Sequence, residues 1–173
     1  MYLQPLAAAF SVTRAVGSVL DWLANPMAHS FNRLYARHTP EQAFDFIADF
    51  RHASLWDPRT QSVRKLTEGP IGRGTRFLLT AGLLGQSLEF PYEIVEYDRA
   101  AQLVFAGKTR FFEYRERVSF HPEQGGTRIE YRAEMCLRSL LLLGNPILSL
   151  IYQRIGDDAT SGIVPALDRA LAA

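Results

Sequence analysis

The eleven residues from Thr127 to Leu137 constrain this chain more than any other stretch. Ile129, Tyr131, Ala133, Met135 and Leu137 fall on one parity. Arg128, Glu130, Arg132 and Glu134 fall on the other. Strict period-two alternation means a β-strand with one dry face and one wet face. A strand of this kind cannot stand alone, because its dry face has to be covered. Residues 110–121 repeat the scheme, with Phe112, Tyr114, Val118 and Phe120 set against Glu113, Arg115 and Arg117.

Further strands are predicted over 30–38, 61–68, 75–81, 87–97 and 102–107. The connections between the later ones are short: Gly69 to Gly74, Gly82 to Gly85, Asp98-Arg99-Ala100, and Pro122 to Gly126. Short connections between successive strands imply an antiparallel meander. Two segments change period. Thr39-Pro40-Glu41-Gln42 opens a helix, with Thr39 as N-cap, Pro40 at the first helical position, and Gln42 three residues on as in a capping box. Ala43, Phe44, Ile47 and Phe50 form its buried stripe. A short turn or helix carries Ser54 to Trp56, and Asp57-Pro58 ends it. A closing helix is predicted from Asn145-Pro146 towards Leu171, on the spacing of Ile147, Leu150, Ile151, Ile155, Ile163, Leu167 and Leu171. Gly156, Gly162 and Pro165 interrupt it, and Pro165 is expected to bend it. The fold class is α+β: a curved antiparallel sheet of about seven strands around a long C-terminal helix, with two short helices between the first and second strands.

Residues 1–26 stand apart. Leu3, Leu6, Phe10, Val16, Leu20 and Leu23 read as an amphipathic helix, and Asn25-Pro26 ends it. Met27 follows at once, so this stretch is either a genuine arm or an over-long start ahead of a domain at 27–173. Arg14 comes after the apolar run rather than before it, which argues against an export signal. The expected location is cytoplasmic, with peripheral membrane contact through residues 1–24 and the greasy 140–152 region.

The formal net charge of +1 gives no global field to recruit nucleic acid. A single cysteine, Cys136, builds neither an internal disulfide nor a zinc site. His29, His38, His52 and His121 lie at element ends without metal-ligand spacing, so no metal site is expected. The turn from Gly69 to Gly74 lacks the Lys-Ser/Thr ending of a phosphate loop and joins strand to strand. No cofactor is implied.

The stretch Pro40-Glu41-Gln42-Ala43-Phe44-Asp45-Phe46-Ile47-Ala48-Asp49-Phe50, then Trp56-Asp57-Pro58, then Gly69-Pro70-Ile71-Gly72-Arg73-Gly74-Thr75, resembles the polyketide cyclase/dehydrase and lipid-transport superfamily. These are the START-like, helix-grip or SRPBCC proteins. The resemblance covers about residues 28–172. It implies an internal pocket for a hydrophobic small molecule such as a lipid, isoprenoid, quinone or polyketide. It does not choose between carrier and enzyme, because one fold hosts many functions. It also leaves the oligomeric state open.

Strand parity names the side chains that would line such a pocket: Phe77, Phe90, Tyr92, Phe105, Phe112, Tyr114, Tyr131 and Met135. Ile151 and Ile155 join them from the closing helix, and the resemblance places Trp56 by the mouth. The same aromatics would equally fill a solid core, leaving a membrane or protein interaction module as a further reading. The three tyrosines are polar handles for a ligand, or else bond to backbone or water. Glu116 points inward by parity, where an unpaired carboxylate is costly. It is the candidate general base of a cyclase or dehydratase acting with a tyrosine, unless it pairs with an arginine or sits at the rim.

Overall fold

The computed structural model describes residues 27–83, 85–110, 112–137 and 156–172. Seven strands form one antiparallel sheet: β1 (Met27–Ala36), β2 (Thr60–Lys65), β3 (Arg76–Leu83), β4 (Gln86–Asp98), β5 (Gln102–Lys108), β6 (Phe112–Glu123) and β7 (Gly126–Leu137). The spatial order is β1-β7-β6-β5-β4-β3-β2. Strands β2 to β7 follow one another as a meander. The chain's first strand lies beside its last, so β1 and β2 are the two open edges.

The connection from β1 to β2 carries the first helices. Helix α1 (Pro40–Ala48) begins as the sequence predicts: the Thr39 hydroxyl accepts from the Gln42 amide at 3.3 Å, and the Gln42 side chain accepts from the Thr39 amide at 3.0 Å. A 3-10 turn (Phe50–His52) and the short helix α2 (Ala53–Trp56) follow. Asp57 then caps the next turn, its carboxylate accepting from the Arg59 amide at 3.0 Å and the Thr60 hydroxyl at 2.9 Å.

Parity assigns the inner face correctly. Phe77, Ile94, Leu103, Phe105, Val118 and Ile129 are wholly buried on it, against Phe44 and Ile47 of α1. Burying each such side chain contributes about 1.5–3 kcal/mol. Strand ends differ from expectation by at most three residues, most at the start of β1 and the end of β2. The β6–β7 hairpin is also tighter than expected. Pro122 and Glu123 belong to the strand and face Thr127 and Gly126, so the hairpin turn shrinks to Gln124-Gly125. Gly125 has a positive φ of 80°, which glycine adopts without strain.

One bulge was not legible in the sequence. The β4–β5 register shifts between Ile94 and Glu96, so Tyr97 rejoins the inner face opposite Leu103. Its ring meets Phe44 edge-on at 5.0 Å. On the outer face, Val104 is also wholly buried, between its register partners Glu96 and Arg117. Glu96 accepts from Arg115 at 2.6 Å and from Gln102 at 2.7 Å, and the stems of these polar side chains cover the valine.

The closing helix corrects one expectation. Residues 156–161 are helical, a turn falls at Gly162, and helix α3 runs Ile163–Leu171. Of the expected interruptions, Gly162 is where the helix breaks, and Pro165 does not break it. Pro165 sits in the first turn of α3, where its missing N–H breaks no helical bond. Gly162 is required by packing: a Cβ there would stand 2.1 Å from the Trp56 carbonyl oxygen. The helix is also tied at His38, whose Nε2 lies 2.7 Å from the Asp168 carboxylate, and at Arg59, which donates to Asp158 at 2.7 Å. The expectations for residues 1–26 and for 138–155, including Ile151 and Ile155, fall outside the described residues.

Gly162→Ala should lower stability by about 1–3 kcal/mol, because a fixed carbonyl occupies the methyl's place. Gly72→Ala should be nearly silent, since nothing lies within 4 Å of a Cβ there. Paired thermal melts check both. A Gly162→Ala melt equal to wild type would mean that α2 and α3 are not in this contact.

Candidate functional site

Glu116 lies on β6 between Arg115 and Arg117, yet it points the other way. Its Oε1 accepts from the Tyr92 hydroxyl at 2.7 Å, and its Oε2 accepts a short hydrogen bond from the Tyr131 hydroxyl. Tyr92 comes from β4 and Tyr131 from β7, so three strands converge on one carboxylate. Of the partners considered for Glu116, the structure selects tyrosines rather than an arginine.

A third tyrosine completes the group. The Tyr114 ring packs 4.8 Å from Tyr92, and its hydroxyl donates to the Pro91 carbonyl at 2.5 Å. Two local features allow this reach. The paired register of β4 and β5 runs from Asp98↔Gln102 only to Glu93↔Ala106, leaving the Pro91 carbonyl beyond it. Gly107 also lies opposite Tyr114, and a Cβ there would stand 2.0 Å from the Pro91 oxygen and 2.4 Å from the tyrosine ring. Only a glycine lets the ring cross β5 to that carbonyl.

Aromatic rings enclose the cluster. Phe50, just beyond α1, packs at 4.6 Å from Tyr92, 4.5 Å from Phe105 and 6.0 Å from Phe77. Phe90 meets Tyr114 at 6.0 Å, and Tyr92 meets Phe105 at 6.3 Å. Met135 is partly buried opposite Tyr114 in the ladder. Sequence reasoning placed Phe50 in the buried stripe of its helix but not at this site. Its ring is brought there by the turn after Ala48, which no periodicity reports. Trp56 is 6% exposed and packs on Phe46 at 5.5 Å, with its backbone carbonyl against Gly162. The backbone of Phe112 lies in β6 opposite Leu137.

Burial raises the Glu116 pKa above the ordinary carboxylate range. The hydrogen bonds from Tyr131 and Tyr92 oppose that shift, and the negative charge of Asp57 adds to it. Burial, then the neighbouring carboxylate, also raises Tyr92 and Tyr114, so both stay protonated at neutral pH. Glu116 and Tyr92 still keep some accessible surface, although protein crowds around both.

Other candidates resolve as structural. Within the Gly69–Gly74 turn, Gly72 N–H donates to the Thr75 hydroxyl at 2.9 Å and Gly74 N–H to the Ile94 carbonyl at 2.7 Å. These amides already have protein partners and form no phosphate nest. Among the described residues, no group of three or more His, Cys, Asp or Glu side chains is placed to hold a metal ion. No helix among them is long and apolar enough to cross a membrane. An open depression of about 330 Å³ on the outer face is lined by Arg115, Arg117, Arg132 and Glu134. It lies on the opposite side of the sheet from Glu116.

A curved seven-stranded antiparallel sheet with short helices between its first two strands and a C-terminal helix is a helix-grip fold. The family model for polyketide cyclase / dehydrase and lipid transport matches residues 35–160, and the chain belongs to that family. Solved structures agree on the fold. TTHA0849 from Thermus thermophilus superposes with a TM-score of 0.70 at 19% identity, covering 82% of this chain and 98% of that one. The Zhui aromatase/cyclase from Streptomyces sp. R1128 gives 0.69 at 13% identity, covering 84% and 96%. A START superfamily protein from Mycobacterium smegmatis gives 0.61 at 15% identity, covering 82% and 95%. A sequence search of curated proteins found no match.

The raised Glu116 pKa fixes a sign. Between the unfolded value and the higher folded one, the native state holds the extra proton. The stability this contributes is present at low pH and is lost as pH rises through the folded pKa. Glu116→Gln keeps both hydrogen bonds if one tyrosine turns to accept, and it cannot titrate. Urea midpoints from about pH 4 to about pH 8 should therefore fall with pH for wild type relative to Glu116→Gln. Parallel curves would show that the carboxylate is not desolvated.

Proposed function

We propose that the protein binds and carries a hydrophobic small molecule on the inner face of its sheet, with the Tyr92–Glu116–Tyr131 cluster as the polar end of the site. The observation that carries this reading is an accessible carboxylate crowded by protein and ringed by Phe50, Phe90, Phe105 and Tyr114. A purely structural core has no use for a buried carboxylate, which costs stability even when hydrogen-bonded. Small-molecule sites characteristically combine an apolar wall with a few fixed polar groups. Family membership supports the same reading. The lining set is Phe77, Phe90, Tyr92, Phe105, Tyr114, Tyr131 and Met135, with Phe112, Ile151 and Ile155 as further wall residues by parity and helix spacing. Trp56 is proposed at the mouth of the site, as the resemblance implies.

One observation favours an enzymatic second reading. A carboxylate whose pKa is raised by burial is a stronger base than an exposed one, and Tyr92 and Tyr131 stand within hydrogen-bonding distance of it. In a cyclase or dehydratase, ionised Glu116 would take a proton from carbon beside a ligand carbonyl, and a tyrosine hydroxyl would have to turn from Glu116 to donate to the carbonyl oxygen.

Native mass spectrometry of protein purified from its own host, followed by organic extraction, tests the first reading. A defined hydrophobic molecule at near one-to-one stoichiometry is expected. Bare protein that also takes up no environment-sensitive lipid probe would reject the pocket. Incubation with the extracted molecule separates the two readings. Turnover lost in Glu116→Gln supports the enzyme, and an unchanged molecule supports the carrier.

A further inference from the structure

We infer that this site selects ligands whose polar end donates a hydrogen bond: a hydroxyl or an ammonium group set against Glu116. The inference rests on the pocket reading above and names the chemical class that the pocket takes.

The argument follows from where hydrogen atoms can be. An ionised carboxylate carries none, so Tyr92 and Tyr131 must both be donors to Glu116. A carbonyl oxygen carries none, so Tyr114 must donate to Pro91. All three phenolic protons are thereby directed at protein oxygens. What the cluster offers a ligand is acceptor capacity. A carboxylate has about four lone-pair sites, and Glu116 receives two hydrogen bonds. A ketone, ether or ester brought here would leave its own oxygen and the carboxylate facing each other without a proton between them, which is costly in a desolvated site.

Charge points the same way. The titratable groups acting on Glu116 are Tyr92 from β4, Tyr131 from β7 and Asp57 from the turn after α2, and Glu116 in turn acts on Tyr114 beside it on β6. Asp57 is an acid, and no described cation pairs with Glu116. A ligand carboxylate would add a third negative charge, so an ionised fatty acid is disfavoured with its head at this end.

Protonation reverses part of this preference. A neutral Glu116 gains one O–H, which can donate to a tyrosine oxygen and release that tyrosine's proton towards the ligand. The donor preference therefore belongs to the ionised state and weakens as pH falls through the Glu116 titration.

The test uses two matched probe sets on the full chain, followed by isothermal titration calorimetry: naphthol with its methyl ether, and dodecanol with its methyl ether and dodecanoate. The hydroxyl compound of at least one set should bind roughly ten-fold more tightly than its ether, since hydrogen bonds to charged groups are worth that much. The ethers are the more apolar partners, so hydrophobicity works against this result. The preference should shrink at acid pH in the wild-type protein and in Glu116→Gln. Equal affinity, or tighter binding of ether or dodecanoate, would overturn the inference while leaving the pocket in place. Failure of every probe to bind would overturn both.

Discussion

The pairing of β6 with β7 is the constraint on which the rest of this structure hangs. It runs unbroken from Phe112↔Leu137 to Glu123↔Gly126. Side chains alternate across a sheet, so a slip of one residue would turn every side chain over. With β6 slipped, Arg115 and Arg117 would enter the apolar interior, while Tyr114 and Val118 would go to water. Burying two unpaired arginines costs more than the stability of a small domain. This register therefore has no near competitor, and it alone decides that Glu116, flanked by arginines in sequence, stands among aromatic rings.

From that register the site follows through three strands that tolerate little change. Tyr131 reaches Glu116 across the ladder from β7, and Tyr92 reaches it from β4, two strands away in the other direction. The bulge between Ile94 and Glu96 re-registers β4 against β5, and Gly107 clears the path of the Tyr114 ring to Pro91 beside the cluster. The helices close the structure over this surface: Gly162 seats the C-terminal helix on Trp56, and the His38–Asp168 and Arg59–Asp158 contacts hold it at two points. Stability and site are opposed at Glu116, because the fold carries a desolvated acid that a hydrophobic residue would spare it.

Much of this was legible in the chain. Period-two alternation identified the inner face on β6 and β7, and capping chemistry fixed the start of α1, because both are local: each depends on residues within one element. The members of the candidate site were legible singly for the same reason. Phe90, Tyr92, Phe105, Tyr114, Glu116, Tyr131 and Met135 all follow from parity. Their partnerships were not. Nothing in the sequence says that Tyr92 and Tyr131 share Glu116 while Tyr114 turns to Pro91, since these residues are 15 to 24 positions apart and meet only through sheet order. Phe50 and Tyr97 were missed as wall residues because a turn and a bulge re-aim them, and neither leaves a period. The approach of the Trp56 carbonyl to Gly162 was likewise not legible, since it joins two segments far apart in sequence.

The sequence by itself determined which side chains face in and which face out, because alternation and capping are enforced over a few neighbouring residues by backbone geometry. It also determined the kind of wall, apolar with isolated polar groups. Only the tertiary structure decided the chemistry of those polar groups. Hydrogen-bond direction depends on which oxygen meets which hydroxyl across three strands, and a pKa depends on how much protein surrounds a carboxyl group. Both are properties of distance in space, which strand order and a bulge set and which no local pattern encodes.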